Sequence, residues 1–262
     1  MPGTTKERTS DRLRSVDAIR YVTALREGGS LPGLVEGDDD GTWVVKFRGA
    51  GQGPGALVSE VVAGEIARQI GLPVPELVLV NVAPELGHAE PDPEIQELIE
   101  ASPGSNLGMD FLPGALPFAL SPEEDFDPEL AADIVFFDAL VTNIDRTPRN
   151  PNLLTWHDQT WLIDHGASFY RQHGARPLAE TATSPTPVMR EHVLLPVAGP
   201  LAGAGDRLTA KIGAAIDPAL AAVPDDWLGE EPEERRDDFR RFLEARLAGQ
   251  EIFIEELEHG DE

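Results

Sequence analysis

Two short segments, six residues apart, constrain this chain more than anything else in it. They are Asn143-Ile-Asp-Arg-Thr-Pro-Arg-Asn150-Pro-Asn-Leu-Leu154 and Trp161-Leu-Ile-Asp-His-Gly166. The first sets Asp145 five residues before Asn150 and ends on an apolar pair; the second is an apolar strand that runs out on Asp164-His-Gly. Leu153–Trp156 and Thr160–Ile163 read as a hairpin that delivers Asp164 at its exit. One Asp orients an acceptor hydroxyl, an Asn binds a metal, and a second Asp holds the metal bridging the nucleotide phosphates. ATP-dependent phosphoryl transfer needs this set.

The formal net charge of -26 excludes more than it explains. So acidic a surface repels a phosphate backbone and an anionic bilayer, so neither nucleic acid nor membrane is expected as a partner. The arginines near residues 8–20 and 235–241 are interleaved with acids and read as solvated helix faces. There is no cysteine, hence no disulfide, thiolate nucleophile or Cys-held metal. The polar N-terminus has no apolar signal core and no apolar run approaches a membrane span, so the expected location is the cytoplasm. Eighteen Arg against three Lys, with abundant Ala, Gly and Pro, point to a GC-rich bacterial genome.

The pattern of elements is α+β, since strands and helices segregate instead of alternating. Residues 1–14 read as a flexible arm. Residues 15–112 read as a small strand-rich lobe with one main helix, and 113–262 as a mostly helical lobe. In the first lobe the spacing predicts a helix over Val16–Leu25, a strand pair within 34–47, and a helix over Leu57–Ile70. Gly71 and Pro73 stop that last helix. Strands follow at Leu77–Val82 and Leu107–Leu112, on either side of an acidic, Pro-punctuated insertion. The second lobe opens with a helix over Pro128–Asn143 and, beyond the two catalytic segments, continues with helical stretches near 190–195, 208–216, 218–222 and 233–257.

Lys46 stands inside the apolar strand Trp43-Val-Val-Lys-Phe47, where a buried ammonium needs an anion. Phosphates would satisfy it, steadied by a carboxylate from the next helix. Glu60 and Glu65 compete for that place. They are five residues apart, a turn of about 140°, so only one can face the lysine, and Glu60 is favoured because it lies nearer the helix start. Gly28, Gly29 and Ser30 open a Gly-rich turn whose N–H groups can cradle phosphates, with the Gly49–Gly55 loop as second choice. Arg146 or Arg149 can neutralise charge developing on a phosphoryl group. Asn150 is favoured as metal ligand by its spacing, and Asn152, just before the Leu pair, stays in contention. Asp164 ends an apolar strand, where a carboxylate calls for a cation; Mg²⁺ suits such hard oxygen ligands. Gly166 permits a positive-φ bend, and His165 reads as a packed hinge residue.

With these residues in place, the chain resembles the HipA-like kinases, bacterial relatives of the protein-kinase and phosphatidylinositol-kinase architecture. Asn143-Ile-Asp145-Arg-Thr-Pro-Arg-Asn150 resembles that family's catalytic loop, and Ile163-Asp164-His-Gly166 its metal-binding segment. Ser59-Glu60 and Ala67-Arg-Gln-Ile-Gly-Leu-Pro-Val-Pro75 resemble its first-lobe helix and the approach to the next strand. The similarity runs over about Leu31–Phe169 and fades near Arg176. It implies a two-lobed, protein-kinase-like fold using ATP and Mg²⁺. Asp145 would be the catalytic base, Asn150 and Asp164 the metal ligands, Lys46 the phosphate contact, and Met109, Asp110, Phe111 and Leu112 the adenine hinge. It further implies Ser/Thr phosphorylation of a protein substrate, in some members a translation factor or aminoacyl-tRNA synthetase, with growth arrest as the outcome; a small-molecule or lipid kinase, or a nucleotide-binding pseudokinase that regulates a partner, is the alternative reading. An antitoxin-like regulator is a possible partner, although this short chain lacks the extra N-terminal subdomain that binds a DNA-binding antitoxin in larger members.

Overall fold

The structure, a computed structural model, describes residues 12–25, 31–50, 53–120 and 126–259. Its first element corrects the reading above. Ser15–Ala24 is not a helix but the strand β1. Val16, Ile19 and Val22 do recur at helical spacing, yet a segment this rich in β-branched residues fits a pleated surface better. β1 pairs antiparallel with β2 (Gly33–Gly37), and parallel with the later strand β4 (Leu77–Val82). With β3 (Thr42–Lys46) and β5 (Gly104–Asp110), the parallel pairing closes a five-stranded barrel of order β1-β2-β3-β5-β4. Val16, Val35, Trp43, Val45, Val78 and Val80 fill its core.

Helix α1 (Pro54–Ile70) follows β3 and is buried along most of its length. It ends as its sequence dictates: Gly71 adopts φ 96°, and the N–H groups of Gly71 and Leu72 reach the Arg68 and Ala67 carbonyls. In the acidic insertion, α2 (Pro93–Glu100) is capped by Asp92 and turns Ile95 and Ile99 into the barrel core. Helix α3 (Pro128–Leu140) starts on an Asp127 cap and is buried on nearly every side, because the remaining helices pack around it. It stops at Leu140, short of the expected Asn143.

A three-stranded sheet of β6 (Leu116–Pro117), β7 (Leu153–Trp156) and β8 (Gln159–Leu162) contains the expected hairpin plus one unanticipated strand. The stretch near 190–195 forms 3₁₀ turns rather than an α-helix. The stretches 208–216 and 218–222 are one helix, α4 (Leu201–Ala221), which runs through Pro218. A proline one turn from the end removes a single hydrogen bond, while Ala215, Ile216, Ala219 and Leu220 keep that turn buried. After α5 (Asp225–Leu228), the expected last helix is two, α6 (Pro232–Ala248) and α7 (Gln250–His259), parted at Gly249. Arg246 of α6 donates to the Ala139 and Leu140 carbonyls and so satisfies the C-terminal end of α3. Burial pushes that guanidinium down to about 10, the nearby Glu256 notwithstanding. No described helix is long and apolar enough to cross a membrane.

Candidate active site

Alternation along β3 sends Trp43 and Val45 into the barrel and leaves Val44 and Lys46 on the opposite face. There Lys46 Nζ donates to Glu60 Oε2 at 2.6 Å and to Asp164 Oδ1 at 2.7 Å. Glu60 projects from the buried side of α1, and its other oxygen accepts the His165 N–H at 2.9 Å. Glu65 meets Arg68 instead, at 3.2 Å, so the geometry separates the two candidates. Burial by itself would lower the Lys46 pKa and raise that of Glu60. Their attraction, joined by Asp164 on one side and His165 on the other, outweighs this: the ammonium is held above its usual range and the carboxyl well below.

The candidate metal segment bends one residue pair earlier than expected. Asp164 itself carries the left-handed backbone, φ 56°, and Gly166 is not among the positive-φ glycines. Gly166 answers a different need: a Cβ there would stand 3.3 Å from Glu60 Oε2. His165 is buried edge-on to Phe137, with ring centroids 6.4 Å apart.

These groups face a cleft of about 580 Å³. Its walls are Val44 and Lys46, the Met109–Leu112 run leaving β5, and Leu154, Ile163 and Asp164 on the hairpin side. The volume falls within the range of nucleotide-sized ligand pockets. Two polar groups of the run are held by neighbouring strands, the Asp110 N–H by the Glu76 carbonyl and the Phe111 N–H by that of Thr42. The Asp110 carbonyl and the Leu112 N–H have no partner among the described residues, an acceptor and a donor two residues apart. The Asp110 carboxyl is pushed up by burial and by Glu76. Leu25 and Pro32, whose main chains share a hydrogen bond, also line the cleft. Gly28, Gly29 and Ser30, expected over the phosphates, lie outside the described residues. The described part of the competing loop goes elsewhere: the Gly49 N–H donates to Ser102 and Gly55 packs on His173.

In the candidate catalytic loop, Asn150 Nδ2 donates to Asp145 Oδ2 at 2.7 Å and Asn152 Nδ2 reaches the same oxygen at 3.3 Å. Both candidate amides therefore stand on the candidate base, and their carbonyl oxygens have no partner among the described residues. Arg146 does not join them. Its side chain is fully buried, with Nε 2.5 Å from Asp138 Oδ2 and NH1 on the Asn152 and Ile163 carbonyls. A guanidinium so enclosed cannot reach a phosphate, and its assignment to the phosphoryl group is corrected on that ground. It binds the catalytic loop to the hairpin. Arg149, the other choice, is exposed.

Asp138 and His192 complete the support under the loop, and sequence reasoning missed both. His192 Nδ1 accepts the Leu194 N–H at 3.1 Å, which leaves Nε2–H to donate to Asp138 at 2.9 Å. Asn143 Nδ2 donates to the other Asp138 oxygen at 3.1 Å. Burial opposes ionisation of Asp138, but Arg146 and His192 prevail and hold the carboxyl far below its usual range. The available signal was a lone Asp in the apolar run Ile134–Val141; His192, 54 residues on, gives none by itself.

Asp164 and the open amide oxygens of Asn150 and Asn152 form a hard-oxygen donor set that fits Mg²⁺. Among the described residues no three His, Asp or Glu side chains gather as a cage. A metal here would take its remaining ligands from phosphates and water, as Mg²⁺ does.

A family model described as HipA-like kinase matches residues 19–251, well past Arg176, where the resemblance was expected to fade. No curated protein matches the chain. Among solved structures, the Helicobacter pylori proinflammatory kinase CtkA aligns with a TM-score of 0.53 at 13% identity, covering 94% of this chain and 100% of that one. At that identity the likeness concerns the fold.

Proposed function

The chain belongs to the HipA-like kinase family and is thus a phosphotransferase, and from that premise we propose that it transfers the γ-phosphoryl group of Mg²⁺-ATP to a Ser or Thr hydroxyl of a cytoplasmic protein. The observation that carries this reading is the Lys46 ammonium held between Glu60 and Asp164 on the wall of the 580 Å³ cleft. Residues 15–112 serve as the nucleotide-binding lobe and 113–262 as the catalytic lobe.

The Asp110 carbonyl and Leu112 N–H receive the base, and Val44, Leu154 and Ile163 give it an apolar sandwich. Lys46 holds phosphate oxygens, kept in place by Glu60. Asp164 and an amide oxygen of the Asn150–Asn152 pair hold the metal, which when bound neutralises phosphate charge. Asp145, its carboxylate oriented by Asn150 and Asn152, positions the acceptor hydroxyl and receives its proton. Arg149 supplies the positive charge that the buried Arg146 cannot.

Transfer of radiolabelled γ-phosphate, with and without Mg²⁺, tests the reading in wild type, Asp145→Asn and Asp164→Ala. Asp145→Asn is expected to bind nucleotide yet lose about 10²–10⁴ in transfer rate. Asp164→Ala is expected to lose metal-dependent nucleotide binding. Unchanged Mg²⁺-ATP binding and transfer in Asp164→Ala would remove Asp164 from the site.

A further inference from the structure

Most exposed arginines of this chain are neutralised. Arg14 and Arg20 on the barrel, Arg207 of α4 and the four outward arginines of α6 each meet a carboxylate. Among the described residues, four other surface arginines, all between residues 149 and 190, meet no carboxylate. Arg171 is engaged by the Tyr170 hydroxyl and the Pro185 carbonyl, and Arg190 by the Glu256 carbonyl. Arg149 and Arg176 are exposed and have no partner among the described residues. The same stretch is also poor in acids: from His165 to Ala179 there is no Asp or Glu, in a chain that contains 47. The carboxylates that touch it are engaged: Glu60 holds Lys46 and accepts the His165 N–H, and Asp238 of α6 is taken up by the Leu178 and Ala179 N–H groups and faces Arg235.

This stretch lines a second cavity, of about 370 Å³, bounded by Ile144, Gly166, Ala167, Ser168, Tyr170 and His173. Ile144 immediately precedes Asp145, and Gly166 stands two residues after Asp164. The cavity therefore lies beside both carboxylates assigned to phosphoryl transfer. The His173 ring packs on Gly55, where a Cβ would come within 2.6 Å of it. Three of the six lining residues are Gly, Ala and Ser, which an extended main chain can approach closely. Arg149 and Arg176 are not among the lining residues; in the chain Arg149 follows Asp145 by four residues and Arg176 follows His173 by three.

We propose that this second cavity is the acceptor site and that the acceptor is an acidic peptide segment. Its Ser or Thr enters beside Asp145, while neighbouring Asp or Glu side chains pair with Arg176 and hydrogen-bond to His173. The assignment takes the phosphotransfer reading as given and adds to it the class of acceptor. The overall charge of -26 does not prevent such binding. At physiological ionic strength fields are screened over about 8 Å, so the charges at the site decide what docks there.

The test uses the full chain and two labelled peptides, a central Ser flanked by Glu or the same Ser flanked by Lys. Binding is read by fluorescence anisotropy without nucleotide, at low and physiological salt, and transfer is read with Mg²⁺-ATP. The Glu peptide is expected to bind about tenfold more tightly, as a few exposed charge pairs allow. That advantage should shrink with salt and vanish in Arg176→Glu, and transfer should follow the same order. Equal binding, or preference for the Lys peptide, overturns the proposal. So does ATP turnover that labels neither peptide. If ATP is never turned over while the Glu preference persists and depends on Arg176, the acidic-peptide site stands and the phosphotransfer reading fails.

Discussion

Two cation–carboxylate groups are built into the same catalytic region, and they are finished in opposite ways. Around Asp138 the count is closed: one guanidinium meets one carboxylate, Asn143 and His192 take the remaining lone pairs, and neither charged side chain has any exposure. Around Lys46 it is open. One ammonium, 17% exposed, serves two carboxylates, and the second of them, Asp164, is 43% exposed. A buried ion pair offsets its desolvation only when every polar group finds a partner. The closed group comes near that condition, with the Arg146 NH2 alone left over, and belongs to the architecture of the loop. The open one carries an excess of negative charge facing the cleft, which a metal ion or a nucleotide complex can use.

The largest test of this contrast is Arg146→Ala, which leaves Asp138 buried without its cation. It should cost about 3–5 kcal/mol of unfolding free energy, read by urea denaturation; a loss below about 1 kcal/mol would mean the two groups had been assigned the wrong way round. Lys46→Met comes next. Turnover should fall by about 10² or more, with a smaller stability loss than Arg146→Ala; an equal loss would erase the distinction. Acid titration sharpens it further. The folded-state pKa values of Asp138 and Glu60 are both depressed. The stability they contribute is therefore present above the unfolded carboxyl value of about 4 and is lost as pH falls through the folded values. Lys46→Met removes only the Glu60 share, so its stability should still decline below about pH 4; a flat acid limb would show that Asp138 is not ionised in the fold. The smallest effect belongs to Glu65→Gln, with turnover unchanged and stability within about 1 kcal/mol, whereas Glu60→Gln should impair turnover as Lys46→Met does.

The legible parts of the molecule are those whose cause is local. Gly71 ends α1 because only glycine takes a left-handed turn without strain, and Leu77–Val82 is a strand because its apolar run is bounded by prolines and polar residues. The Asp145–Asn150 spacing and the apolar strand before Asp164 could be found because they occupy one hairpin and its approach. Residues 15–24 were misread because Val16, Ile19 and Val22 satisfy a helical period as well as a strand, and only the partners β2 and β4 choose between them. Arg146 was misread for a similar reason. A guanidinium beside a candidate catalytic Asp suits a phosphate or a buried carboxylate equally well, and the carboxylate lies on a different element.

By itself the sequence determined the elements with strong local signals, the residue types available for chemistry, and the strand alternation that turns Lys46 away from the barrel core. Tertiary structure decided which of those residues meet. It closed the barrel by a parallel pairing between β1 and β4, and it brought Lys46 to Asp164 across 118 residues and Asp138 to His192 across 54. It also chose Glu60 over Glu65 and enclosed Arg146. The physical reason is that charge and burial depend on everything that approaches a group from outside its own segment, and no local pattern encodes those neighbours.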